Sequence, residues 1–133
     1  MSNFFEVKNV DFSVAGKVKV RNVSFVIEKE GDIICLLGPS GIGKTTILRT
    51  IAGLERTKNG TIELKGNLLS SEKKHVEPEK RNISLAFQEN SLFPHYTVLK
   101  NIQLGVEKNK YKKQKISIKE IIELLDIDSI LNQ

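Results

Sequence analysis

A single cysteine, Cys35, stands in 133 residues. One thiol alone excludes an intrachain disulfide, a cysteine-built metal cage and a dithiol redox couple. Its place inside an apolar run reads as a small core position. That run, Ile33-Ile34-Cys35-Leu36-Leu37, is the longest in the chain, far short of the roughly 20 apolar residues a membrane helix requires. The start, Met1-Ser2-Asn3-Phe4-Phe5-Glu6, has no basic n-region, apolar core or small-residue cleavage site, so a reducing cytoplasmic location is expected. Aromatic residues are scarce, at 6%. Lys108, Lys110, Lys112, Lys113 and Lys115 gather around Tyr111, but no aromatic series accompanies them for base stacking. A solvated linker between helices is expected there, and no nucleic-acid partner.

What is present suits a soluble globular domain: 39% apolar residues and a formal charge of +5 spread along the chain. No internal repeat or low-complexity tract occurs. Residues 5–10 and 18–28 alternate apolar and polar side chains at period two, the pattern of antiparallel strands with one wet face. Residues 33–37 do not alternate, which predicts a strand covered on both faces within a parallel sheet. Residues 57–66 read as a turn, a short strand and another turn, residues 67–81 as a polar surface loop, and residues 82–87 as a further strand. Thr97 is placed to cap a helix through Asn101 and Leu104. Ile118, Ile121, Ile122 and Leu125 fall at i, i+3, i+4 and i+7, one face of a helix, with a second helix starting at 128–131.

Between the apolar run and the next helical segment stand Gly38-Pro39-Ser40-Gly41-Ile42-Gly43-Lys44-Thr45, which fit G-x-x-x-x-G-K-[ST]. Position matters more than the pattern, because a phosphate cradle needs a strand to deliver the loop and a helix N-terminus to receive the anion. Glycines allow successive backbone N–H groups to turn toward one centre. Lys44 is expected to set its ammonium between β- and γ-phosphates, and Thr45 to offer its hydroxyl to the bridging magnesium ion. Gly38 through Thr46 form the expected nucleotide-binding set.

Five pieces in order carry a family resemblance: the loop; Ile51-Ala52-Gly53-Leu54-Glu55; Asn59-Gly60-Thr61-Ile62 with Gly66; Phe87-Gln88-Glu89; and Leu92-Phe93-Pro94-His95-Tyr96-Thr97-Val98 with Asn101-Ile102. With these the chain resembles the amino-terminal part of an ATP-binding cassette (ABC) ATPase subunit of an importer. The fold implied is α/β: a partial P-loop NTPase core with an antiparallel β subdomain over residues 1–88, and the start of a helical subdomain over 89–133. Importers of ferric iron, polyamines, sulfate, molybdate and maltose are the nearest in look, with ferric iron the favoured cargo.

The resemblance implies ATP and Mg2+ as cofactors. It makes Gln88 the residue that contacts the magnesium ion and the attacking water, and the region from Gln88 to Tyr96 the contact with permease subunits. It also implies a second nucleotide-binding subunit and a peripheral position on the cytoplasmic face of the membrane. The family's adenine-stacking ring falls at Val14, so the base contact stays open between Val14 and Phe12, for which a core role is the other reading. His75 and His95 match no switch histidine, and residues 121–126 read as helix rather than as a strand ending in a metal ligand. The family's signature and its Asp-Glu strand have no copy here, so the chain alone is expected to bind nucleotide without turning it over and to aggregate through an unfinished sheet. The alternatives are a soluble cassette ATPase of DNA repair or translation and a non-catalytic nucleotide-binding fragment.

Overall fold

The alternating segments become a four-stranded antiparallel sheet in the computed structural model, which describes residues 3–14, 16–87, 91–107 and 116–133. Its strands are β1 (Phe5–Val14), β2 (Lys17–Ile27), β3 (Thr61–Leu64) and β4 (Asn67–Ser70), in the order β2-β1-β3-β4. Strict alternation along β1 would send Val7 and Val10 to opposite faces, yet both are buried. The register shifts between them, and Asn9 sits there at φ 52°. Asparagine tolerates this left-handed conformation, and the resulting bulge returns the apolar set to the core side. The Ser24 hydroxyl accepts from the Asn9 amide at 2.9 Å, and opposite, Asp11 Oδ1 accepts from the Asn22 amide at 2.8 Å.

On this face Phe5, Val7, Val10, Phe12 and Ile62 meet Ile47 of helix α1 (Lys44–Ala52), with Val20, Val23, Phe25 and Ile27 of β2 packed around them. Full burial of such side chains stabilises by about 1.5–3 kcal/mol each. Helix α1 is closed by Gly53 at φ 91°, with Leu54 N donating to Arg49 O at 2.9 Å and Gly53 N to Thr50 O at 3.1 Å. This is the reversal for which a left-handed glycine is suited.

Four expectations are corrected. Residues 33–37 form no ladder with any described strand. Ile33 is 90% and Leu37 91% exposed, and only Leu36 packs against the core. A doubly covered strand exists only where neighbours supply its hydrogen bonds and its two roofs, and the described residues supply neither. Cys35 is therefore exposed rather than a core residue. Residues 82–87 likewise stay outside the sheet, although Ile83 packs on the core. Finally, residues 67–81 are not merely a polar loop: they contain β4, a bridge between Ser70 and His75, a 3-10 turn at Pro78–Lys80, and Arg81 at 1% exposure.

The chain divides into two compact units, Met1–Leu85 and Ala86–Gln133. In the second, α2 (Val98–Glu107) starts as expected, its Lys100 amide donating to Thr97 Oγ1 at 3.2 Å. Its first amides also reach the chain end, Val98 N donating to Gln133 O and Leu99 N to Leu131 O, both at 3.0 Å. Helix α3 (Ile118–Leu125) opens with a capping box between Ser117 and Glu120. Backbone and side-chain hydrogen bonds from Ser117 hold the Glu120 carboxyl below its usual range. Ile122 is buried on the predicted face, but Leu125 is 59% exposed. Asp126 at φ 52° stops the helix, and the expected second helix is a 3-10 turn, Asp128–Ile130.

Candidate functional site

Residues 38–43 lead from residues 33–37 to α1, and the residues expected to hold nucleotide adjoin one another. Gly38, Pro39, Ser40, Gly41 and Ile42 are exposed, Thr45 opens outward from the first helical turn, and Thr46 is buried beneath it. Gly43 takes φ 118°, and a Cβ there would lie 2.5 Å from Val20 Cγ2, so only glycine brings the loop this close to the sheet. The first helical bond runs from Ile47 N to Gly43 O at 3.0 Å. No side chain caps the N-terminus of α1 and no acidic residue occupies its first turn. Its leading N–H groups and partial positive charge are thus left for an anion. Lys44 Nζ bends back over the loop, donating to Gly38 O at 2.7 Å and Pro39 O at 2.9 Å.

The remaining expected residues fall elsewhere. Phe12 is fully buried in the core, which removes it as an exposed stacking platform. Val14 ends β1, with its side chain outside the described residues. Gln88, Glu89 and the lysine cluster also lie outside them. In the second unit Leu92, Phe93, His95, Tyr96, Asn101 and Leu104 border an open groove of about 400 Å3. Asn101 shapes it: Oδ1 accepts from Phe93 N at 2.8 Å, while Nδ2 donates to the carbonyls of Phe93, Tyr96 and Thr97 at 3.1–3.2 Å. Glu123 and Asp126 are exposed on and just after α3. Among the described residues no cluster of three or more His, Cys, Asp or Glu side chains is arranged to hold a metal ion, and no helix is long and apolar enough to cross a membrane.

Sequence reasoning missed Arg81. All five of its N–H donors are used: Nε to Val76 O at 2.6 Å, Nη1 to Thr50 O at 3.1 Å and Ile51 O at 2.9 Å, and Nη2 to Ser70 Oγ at 2.6 Å and His75 Nδ1 at 3.2 Å. Burial lowers its pKa, and the charge of Glu77 counters this in part. Inside a polar, charged stretch the sequence carries no periodic signal for such burial.

A glycine-rich loop feeding a helix beside an antiparallel sheet is consistent with part of a P-loop NTPase domain. The family model described as ABC transporter matches residues 20–133, and the chain belongs to that family. It is 39% identical over 132 residues to an Fe(3+) ions import ATP-binding protein of Fusobacterium nucleatum, covering 96% of this chain and 34% of that protein. A trehalose/maltose import ATP-binding protein of Thermococcus litoralis is 41% identical over 133 residues, covering 96% of this chain and 36% of that protein. The chain thus spans about a third of the length of the curated relatives it matches. A nucleotide-free ATP-binding cassette from an ABC transporter has the same fold, with a TM-score of 0.72 at 20% identity over 99% of this chain and 57% of that one.

Proposed function

We propose that this chain is the amino-terminal, ATP-binding part of an ATPase subunit that couples ATP hydrolysis to solute import. The observation that carries the reading is the convergence of loop 38–43, the uncapped N-terminus of α1 and the Lys44 ammonium on one exposed centre. There, backbone N–H groups neutralise phosphate charge, and Lys44 exchanges its carbonyl partners for phosphate oxygens. The exposed Thr45 hydroxyl is a hard oxygen donor of the kind Mg2+ takes, and with Gln88 it forms the donor set we assign to that ion. Mg2+ bound to both nucleotide and protein would withdraw charge from the γ-phosphate. Gly38 through Thr46 hold the triphosphate, and Val14 lies nearest in sequence to where the family resemblance puts adenine.

The partners follow from the same reading. The groove bordered by Leu92, Phe93 and Tyr96 is apolar and open, a fit for a short cytoplasmic helix of a permease subunit. The residues from Gln88 to Tyr96 are the contact we assign to it. A second nucleotide-binding subunit completes the machine, placed peripherally on the cytoplasmic face of the membrane. Ferric iron is the cargo we favour, since an iron importer's ATPase is among the relatives at 39% identity.

Calorimetric titration with ATP and magnesium tests the reading. Lys44→Ala removes a charge-assisted contact worth about 1.5–3 kcal/mol, so most triphosphate affinity is expected to vanish. Undiminished affinity would show the loop to be something other than a phosphate cradle.

A further inference from the structure

We infer that Arg81 is a positioning residue for nucleotide binding, fixing the phosphate-loop helix from the end opposite its anion site. The inference rests on the nucleotide reading of residues 38–46. Helix α1 carries Lys44 and Thr45 at its first turn, while Thr50 and Ile51 present their carbonyls at its last. Those two carbonyls accept from Arg81 Nη1, and the other guanidinium nitrogens bind Val76 O, Ser70 Oγ and His75 Nδ1. One rigid planar group therefore joins the tail of α1 to β4 and to the strand-like bridge beside it.

A cation here also opposes the partial negative charge at the helix C-terminus. Space at this point is already filled, because a Cβ on Gly53 would stand 2.5 Å from Arg81 Nε. Without the guanidinium, α1 keeps its apolar contacts on β1 but loses the polar anchor that sets its axial position. Lys44 and Thr45 move with the helix, and phosphate binding is sensitive to such displacement.

His75 supplies a second handle on the same anchor. Its side chain is 8% exposed, and its Nδ1 must be unprotonated to accept from Arg81. Three cationic or acidic groups face it: Arg81, Arg56, and Glu77, whose carboxylate lies 4.0 Å from Nε2. Burial first, then the charges of Arg81 and Arg56, hold its pKa below the ordinary 6.5, against opposing effects of Glu77 and the Gly53 backbone. The neutral form is thus favoured by the fold. The anchor is intact above about pH 6.5 and weakens as pH falls from there through the lowered value.

The test titrates Mg·ATP calorimetrically into the full 133-residue chain as wild type, Arg81→Met, Arg81→Lys and Lys44→Ala, with circular dichroism to confirm folding. Arg81→Met should bind roughly tenfold more weakly while remaining folded. Arg81→Lys should recover part of the loss, since an ammonium restores the charge but cannot span the helix carbonyls and Ser70 together. Equal affinity in Arg81→Met and wild type overturns the positioning role and leaves the nucleotide reading standing. Absence of binding in wild type, or binding unchanged by Lys44→Ala, overturns both. Should Arg81→Met fail to fold, the pH profile decides. Between about pH 7.5 and 5.5 the wild type should lose more affinity than His75→Asn, whose amide oxygen accepts from Arg81 without titrating. The nucleotide's own titration is common to both, so identical profiles overturn the role.

Discussion

The four-stranded sheet and residues 33–37 belong to one compact unit and are both rich in β-branched and aliphatic side chains, yet one is laddered and the other is bare. Each strand of the sheet finds its partners within the first 70 residues, through a short turn between β1 and β2 and another between β3 and β4. Its polar face needs only water. Residues 33–37 are apolar on both sides and depend on other elements at two edges and two faces, none of which pairs with them among the described residues. Half-wet antiparallel structure is thus locally self-sufficient, whereas a doubly covered strand is only as real as its neighbours.

A graded series of substitutions tests that contrast. Phe12→Ala empties a fully buried core position and should destabilise the unit by about 3–5 kcal/mol, seen as a lower urea midpoint at unchanged slope. Leu36→Ala removes the one side chain of the 33–37 run that packs on the core. A loss of about 1 kcal/mol is expected, and a loss rivalling that of Phe12→Ala would mean the run is covered after all. Leu37→Ser, at 91% exposure, should fall within about 0.5 kcal/mol of wild type while lowering light scattering at high concentration. The mildest probe leaves the sequence intact: Cys35 is exposed, so a thiol reagent should label it in native buffer about as fast as in denaturant. Strong protection would place the run in a ladder.

Readability in the sequence followed how far each residue's fate depends on distant chain. Strands β1 and β2 were legible because alternation is local, but the bulge at Asn9 was not, since its effect appears only when Val7 and Val10 must face the same core. The loop at residues 38–43 and the start of α1 at Lys44 were legible because apolar run, glycines, lysine and helix start are consecutive. The non-alternating run was read correctly as apolar and wrongly as covered, because periodicity describes a side chain's preference and not the presence of its neighbours. Arg81 was invisible for a related reason. Its burial is decided by where the last carbonyls of α1 arrive, some thirty residues earlier in the chain.

The contact between Lys44 Nζ and the carbonyls of Gly38 and Pro39 closes residues 38–44 into a ring. A ring closed by its own cation needs no guest to hold its outline, so the entropy of shaping the loop is met before any polyanion arrives. On the proposed reading, entry of a phosphate would then be an exchange of partners at Lys44 Nζ rather than an ordering of chain. For the triphosphate site proposed above, a loop already shaped in this way would carry a smaller ordering cost on binding.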